Sequence, residues 1–184
     1  MTAPNSPQST LLTVAMGAAA GAIGVWALDR LDWFLFDRMS DADRARTRAA
    51  RPNGEPPAEA LVTALSTAVG TELSPRTHKA ASLTTHYAIG IAPAIGYALF
   101  RHVLPGRGLA RGAAYGAALF ALQDEGLNTI TPLGGKPGDY PWQDHARGFA
   151  AHVLYGVATE AALNGLEALA ERRSNAEAAD LQLA

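Results

Sequence analysis

Residues 121–135 read ALQDEGLNTITPLGG, and they place Asp124 and Glu125 side by side within an otherwise uncharged stretch. The twelve residues before the pair and the ten after it carry no charge. An ionised Asp at the centre of a membrane helix costs about 2.5–3.5 kcal/mol on insertion scales, whereas each Leu, Ile or Phe returns only about 0.3–0.6 kcal/mol. If this segment crosses a membrane, the two acids therefore require protonation, polar partners or a shallow position.

The composition favours a membrane protein built from small residues. The chain has 184 residues, and we predict that residues 1–184 form a single membrane domain. The charged fraction is 17%, below the roughly 25% usual for soluble domains. A net charge of −2 gives no general attraction to nucleic acid, so we expect no nucleic-acid partner. The absence of cysteine excludes disulfides, thiol catalysis and cysteine-ligated metals.

Four stretches have the length and low charge of membrane helices, which need about 20 residues to span a bilayer. The predicted spans are 10–28, 76–102, 109–131 and 142–170, joined by a polar first loop over 29–75 and flanked by tails at 1–9 and 172–184. Residues 1–28 carry no Lys or Arg, unlike the start of a cleaved signal peptide, so we expect a retained helix. The predicted fold is all-α, an integral membrane four-helix bundle with short helices in its first loop.

Local signals place the helix ends in the first loop. They are a Ser40–Asp43 capping pair, a turn at Pro52-Asn53-Gly54, a helix from Pro57 to Gly70 with Leu61, Leu65 and Val69 on one face, and a Ser74-Pro75 start for the second span. Pairs of small residues four apart predict close helix packing in lipid. These pairs are Gly17/Gly21, Ala20/Gly24, Ala92/Gly96 and Gly112/Gly116.

Depth along the helices predicts a polar layer near the first and third loops. At 1.5 Å per residue, Asp124 and Glu125 reach the level of one histidine in the second span and one in the fourth. The predicted intramembrane layer comprises His86, Asp124, Glu125, Asn128 and His152, with Glu160 two turns deeper and nearer Tyr97 and Tyr115. We expect at least one acid within hydrogen-bond or one-water reach of His86 or His152. The alternative role for this layer is structural, fixing the register of the helices.

Searches for catalytic and cofactor patterns point away from an enzyme. There is no ExxH spacing for a carboxylate-bridged metal site and no GxSxG elbow for a serine hydrolase. The glycine-rich turn at 106–112 follows no predicted strand, so it is not a phosphate loop. We therefore predict no catalytic residues, no cofactor and no metal. Ten of fifteen basic residues, Arg147 among them, lie in the first and third loops or just beside them, which predicts that these loops are cytoplasmic.

Several stretches together resemble the YagU-like family of small bacterial inner-membrane proteins. They are GVWALDRLDWFLFD at 24–37, HYAIGIAPAIGYALF at 86–100, DEG at 124–126 and HARGFAAHVLYGVATE at 145–160, within a resemblance covering roughly residues 14–166. The resemblance implies a four-span, multi-pass protein of the bacterial inner (plasma) membrane, loosely associated with acid resistance. The family has no established catalytic residues, so it implies none for this chain.

Three classes of function fit the sequence. The favoured one is a non-enzymatic accessory or structural subunit, with the lipid bilayer and other membrane subunits or a second copy as partners, because small-residue faces occur without a catalytic motif. The alternative is a proton- or ion-handling membrane protein that uses the His/carboxylate layer and is linked to acid resistance. The third class is a soluble alanine-rich helical protein, which the mean hydropathy of +0.02 permits and the long uncharged runs oppose.

Overall fold

The computed structural model describes residues 7–183, and within that range the chain forms helices and turns with no strand. The helices are α1 (Pro7–Phe36), α2 (Asp41–Ala50), α3 (Pro57–Ala68), α4 (Pro75–Phe100), α5 (Gly108–Leu119), α6 (Asn128–Ile130) and α7 (Trp142–Leu183). Short 3-10 turns occupy Pro52–Gly54, Arg101–Val103 and Pro137–Asp139. The tail predicted at 1–9 lies mostly outside the described residues. The one predicted from residue 172 continues α7 as an exposed helix.

Most of the predicted helix starts are confirmed by their capping contacts. Ser40 Oγ accepts a hydrogen bond from the Asp43 amide at 3.1 Å, and Ser74 Oγ accepts one from the Thr77 amide at 3.2 Å. Each bond satisfies one amide that the first helical turn leaves without a partner. The turn between α2 and α3 passes through Asn53 at φ 53° and Gly54 at φ 75°, a left-handed conformation that these residue types tolerate.

The predicted apolar face of α3 is partly wrong. Ala60 and Val62 are its buried residues, whereas Leu65 and Val69 are 57% and 74% exposed. The helix packs against α4, and Thr63 Oγ1 lies 2.9 Å from His78 Nε2 in that contact. Small and polar side chains of α3 therefore make the contact with α4, and the larger apolar side chains Leu65 and Val69 remain exposed.

The long helices pack antiparallel through close backbone contacts. Helix α1 lies between α4 and α7, and α7 also packs against α5. A methyl group added to Gly17 or Gly21 would come within 2.9 Å of α4, and one added to Gly112 would lie 2.6 Å from the Gly156 carbonyl oxygen. The contacts predicted for Gly17/Gly21 and Gly112/Gly116 are confirmed, since only glycine permits such approach.

The other two small-residue pairs differ in outcome. Ala20 is fully buried, and Gly24 faces Tyr155 and Thr159 of α7, as close packing requires. The pair Ala92/Gly96 was predicted wrongly, because Ala92 is exposed and a methyl group on Gly96 would meet nothing within 4 Å. Helix α4 instead turns the face carrying Ala94 and Ala98, both buried, towards α1.

Helix α1 is the one described helix with the length and hydropathy needed to cross a membrane by itself. The segment Ser9–Phe36 has a mean hydropathy of 1.9, and only 28% of its apolar window is buried within the protein. A signal sequence near an N-terminus shares these properties. None of the other described helices meets both requirements, so length and hydropathy do not establish the spans predicted at 76–102, 109–131 and 142–170.

A π-helical segment at Phe120–Leu127 interrupts the third long helix between α5 and α6. Asp124 and Glu125 both lie inside it. A π-helix is wider than an α-helix because its hydrogen bonds skip one more residue, and such segments are frequent at functional sites. The sequence pattern did not predict this segment, which changes the direction of every side chain after Leu119.

Candidate functional site: a histidine–carboxylate cavity

A cavity of about 690 Å³ lies between α4, the π-helical segment and α7, beside the first and third loops. Its size falls in the range of small-molecule sites. The predicted layer residues that line it are His86, Asp124, Glu125, Asn128 and His152. The predicted layer therefore surrounds one space, and the individual pairings within it decide what that space can do.

Asp124 faces His152 across the cavity. Its Oδ2 lies 3.7 Å from His152 Nδ1, and its Oδ1 accepts a hydrogen bond from Asn128 Nδ2 at 3.3 Å. His152 Nδ1 already contacts the Gly148 carbonyl oxygen at 2.9 Å, which keeps the proton on that nitrogen engaged. The gap to Asp124 is beyond a direct hydrogen bond but within the reach of one bridging water, as expected.

Glu125 pairs with a histidine that the sequence reasoning missed. His145 Nδ1 lies 2.6 Å from Glu125 Oε1, and His145 Nε2 lies 3.0 Å from the Pro137 carbonyl oxygen. Both neighbours accept hydrogen bonds, so a doubly protonated imidazolium satisfies both at once. The position of His145 in the first turn of α7 was a usable signal, but the π-helical segment decides which acid faces it.

His86 does not pair with either acid of the DEG motif. Its Nε2 lies 2.8 Å from Asp29 Oδ1 at the end of α1. Helix α4 packs against α1 at this level, because Gly90 faces Val25 one turn away. His86 lies at the predicted depth and lines the cavity, but the contact between α4 and α1 gives it Asp29 as its partner.

Arg147 is a second residue that the sequence analysis counted only as a loop charge. Its guanidinium is almost fully buried and bonds Asp32 of α1 and, at 2.6 Å, Asp144 of α7. One cation thus satisfies two carboxylates on two helices. This ion triad fixes the end of α1 to the start of α7 and lines the same cavity.

Glu160 belongs to a separate polar cluster nearer the opposite end. It is fully buried and accepts hydrogen bonds from Tyr97 at 2.8 Å, Arg101 at 3.0 Å and Arg111 at 2.7 Å. The predicted depth and the neighbouring Tyr97 are confirmed, whereas the bonds from Arg101 and Arg111 were not predicted. Since a buried charge is tolerated only when it is paired, these contacts explain why Glu160 is buried.

Three tyrosines lie between the cavity and the Glu160 cluster. Tyr155 lines the cavity and donates its hydroxyl proton to the Gly90 carbonyl oxygen at 2.6 Å. The Tyr115 hydroxyl lies 3.3 Å from the Tyr155 hydroxyl, and it must be the donor of that pair because the Tyr155 proton is already used. The Tyr97 ring stacks on the Tyr115 ring with centroids 4.0 Å apart, so aromatic side chains connect the two clusters.

Comparison with known protein families, curated proteins and solved structures finds no match for this chain. Among the described residues, no three His, Asp or Glu side chains are arranged to hold a metal ion.

Proposed function

We propose that this chain is a multi-pass protein of the bacterial inner membrane, related to the YagU-like family, that handles protons at its histidine–carboxylate cavity. The proposed spans are 10–28, 76–102, 109–131 and 142–170. Two properties support the proposal: the outward orientation of the large apolar side chains and the convergence of two His–carboxylate pairs on one cavity.

The distribution of apolar residues supports four membrane spans. Among the residues whose side chains the structure describes, the buried hydrophobic ones are five alanines, two valines, two tyrosines and one leucine. Large apolar side chains lie on the outside of every long helical segment, among them Leu12, Ile23, Trp33, Leu83, Phe100, Leu109, Leu122, Ile130, Trp142 and Phe149. A soluble bundle would bury such residues, whereas helices in lipid pack through small and polar ones and expose large apolar ones.

The observation that carries the proton function is the pair of His–carboxylate contacts within one cavity. Histidine is the side chain whose charge changes most readily near neutral pH. Glu125 and His145 are hydrogen-bonded, and Asp124 lies 3.7 Å from His152, so two carboxylates each have a histidine close by in the same cavity. Intramembrane ionisable groups usually mark ion or proton pathways. Tyr155, Tyr115 and Tyr97 lie between this cavity and Glu160.

A proton-flux measurement tests the function. Purified full-length protein would be reconstituted into vesicles that contain a fluorescent pH indicator, and a pH gradient would be imposed. We expect the gradient to decay faster than in protein-free vesicles. Asp124→Asn with Glu125→Gln should abolish the difference, whereas Glu72→Gln, a change at an exposed loop acid, should retain it. A wild-type rate equal to that of empty vesicles would contradict proton handling.

An accessory subunit is the second candidate function, and the length of α7 favours it. Its 42 residues extend about 63 Å at 1.5 Å per residue, beyond a bilayer of about 45 Å including headgroups. Residues 171–180 are all exposed, so this end of the helix is available to another membrane subunit or to a second copy. Purification of the native protein in mild detergent should then yield a stable larger assembly. An isolated monomer under those conditions would contradict the accessory role.

A further inference from the structure

The cavity beside Asp124 and Glu125 is larger than proton transfer requires. Proton exchange between paired side chains needs at most a few waters, whereas a volume of about 690 Å³ fits a drug-sized molecule. The charged residues that line the cavity, the apolar residues that line it and the exposed part of its lining indicate which class of ligand it binds.

The charged side chains around the cavity favour a cation. With neutral imidazoles, four carboxylates face two guanidiniums, which leaves an excess of two negative charges; the acids are Asp32, Asp124, Glu125 and Asp144, and the cations are Arg51 and Arg147. Arg147 is engaged by Asp32 and Asp144. The acids without a guanidinium bond are therefore Asp124 and Glu125. An anion would be repelled there, and a cation would be stabilised.

Most of the remaining residues that line the cavity are apolar or aromatic, which favours an organic cation with a large apolar part. Pro93, Leu119, Phe120 and Tyr155 line the side nearest the centre of the bundle. The Phe120 ring lies 5.7 Å from the His152 ring, centroid to centroid, so an aromatic face borders the charged groups. Aromatic rings attract organic cations through their negative faces. The side chains in the described part of the chain do not form the compact ligand set that a metal ion needs.

The cavity lining is exposed at Pro56 and Thr129, beside the first and third loops, and also on the side of the bundle between α4 and the π-helical segment. Ala92 on α4 and Leu127 on the π-helical segment both line the cavity and are exposed on the outer surface. Leu122, on the same segment, is 69% exposed. In the proposed membrane arrangement the exposed lining on this side of the bundle faces the acyl chains, so a membrane-soluble ligand reaches the cavity laterally.

We propose that the cavity binds a hydrophobic organic cation in exchange for protons, with Asp124 and Glu125 as its counter-ions. This inference rests on the proposed function, because the exchanged protons are those of the His–carboxylate pairs. When the cation lies against a carboxylate, the paired imidazolium loses its proton to solvent and stays as neutral imidazole. The N–H bond of the imidazolium is the one bond that breaks, its electron pair stays on the nitrogen, and solvent takes the proton. The charged groups that face the acids from the other elements are Asp32 of α1, His86 of α4, Arg51 of the first loop and Asp144, His145, Arg147 and His152 of α7.

Calorimetric titration of the purified protein in detergent tests the inference with two probes of matched shape. Tetraphenylphosphonium is a hydrophobic cation, and tetraphenylborate is an anion of nearly the same size. We expect the cation to bind once per chain with release of protons at about pH 6.5, near the ordinary pKa of an imidazole. Because protons compete with the cation, binding should be about tenfold weaker at about pH 5.5 than at about pH 8. Equal binding of the borate, or binding of neither ion, would overturn the proposal.

Two variants locate the binding. Asp124→Asn with Glu125→Gln should weaken phosphonium binding by about tenfold or more, and Glu72→Gln should leave it unchanged. Unchanged binding in the double variant would place the ion elsewhere and overturn the proposal. Proton release by the wild-type protein gives a result that does not depend on the variant folding. Proton flux in vesicles without phosphonium binding would overturn this inference alone, whereas binding without flux would support it and contradict the proposed function.

Discussion

Gly116 lies where α5 meets the backbone of α7, and a methyl group there would overlap the His152 carbonyl oxygen. Backbone cannot move aside as a flexible side chain can. We therefore expect Gly116→Ala to destabilise the protein by about 1–3 kcal/mol, the usual cost of overpacking. Thermal unfolding in detergent measures the change.

Gly96→Ala is the matched control for this substitution. It lies on α4, and an added methyl group would meet nothing within 4 Å. Replacing a helical glycine there should stabilise the helix by up to about 1 kcal/mol. Equal destabilisation by both variants would show that the α5–α7 contact is not as close as described.

Glu160 allows the energy of a buried ion cluster to be tested. Glu160→Gln would leave Arg101 and Arg111 without their shared carboxylate, and Arg101 is almost fully buried. Loss of one partner of a buried pair costs about 3–5 kcal/mol, so we expect a large fall in the unfolding midpoint. Glu171→Gln, at an exposed acid on α7, should change stability by less than about 0.5 kcal/mol. A small effect at Glu160 would mean that the cluster is open to solvent.

At the scale of helices, the π-helical segment determines where Asp124 and Glu125 point. Deleting Leu122, whose side chain is exposed, removes the extra residue that a π turn contains. The residues after the deletion should rotate by about 100°, one α-helical step. Asp124 and Glu125 would then lose their contacts with His152 and His145. We expect unchanged helix content by circular dichroism and loss of proton flux.

Leu122→Ala is the control for the deletion, since it keeps the number of residues in the π-helical segment and changes only an exposed side chain. It should retain flux. A deletion variant with normal flux would mean that the acids do not depend on the π turn for their position.

The sequence predicted those features of the helices that depend on neighbouring residues. The starts at Ser40 and Ser74 were predictable because a cap is a bond between residues three apart. The depth of His86 and Glu160 followed from helical rise. The partner of Glu125 could not be predicted from helical rise, because a single inserted residue in the π turn redirects the Glu125 side chain towards His145. Arg101 and Arg147 were missed since burial of a loop-end arginine depends on tertiary contacts.

At the scale of the whole molecule, the two acids are compatible with a membrane because the assembled helices supply their partners. Replacing both with Leu removes the insertion cost of the third segment, so Asp124→Leu with Glu125→Leu should still insert. Alkaline carbonate washing should leave this variant and the wild-type protein in the membrane fraction. Release of the wild-type protein would contradict the membrane assignment, and release of the variant alone would show that the segment is misplaced.

The central claim is that four helical segments cross the membrane, and the absence of cysteine makes a direct test possible. Single cysteines would be introduced at four exposed positions outside the proposed spans: Thr71→Cys, Arg107→Cys, Lys136→Cys and Ala178→Cys. Intact spheroplasts would then be treated with a membrane-impermeant maleimide. The account predicts labelling at 107 and 178 and protection at 71 and 136, because the basic first and third loops are expected in the cytoplasm. Labelling of 71 and 107 to the same extent would show that α4 does not cross the membrane and would contradict the account.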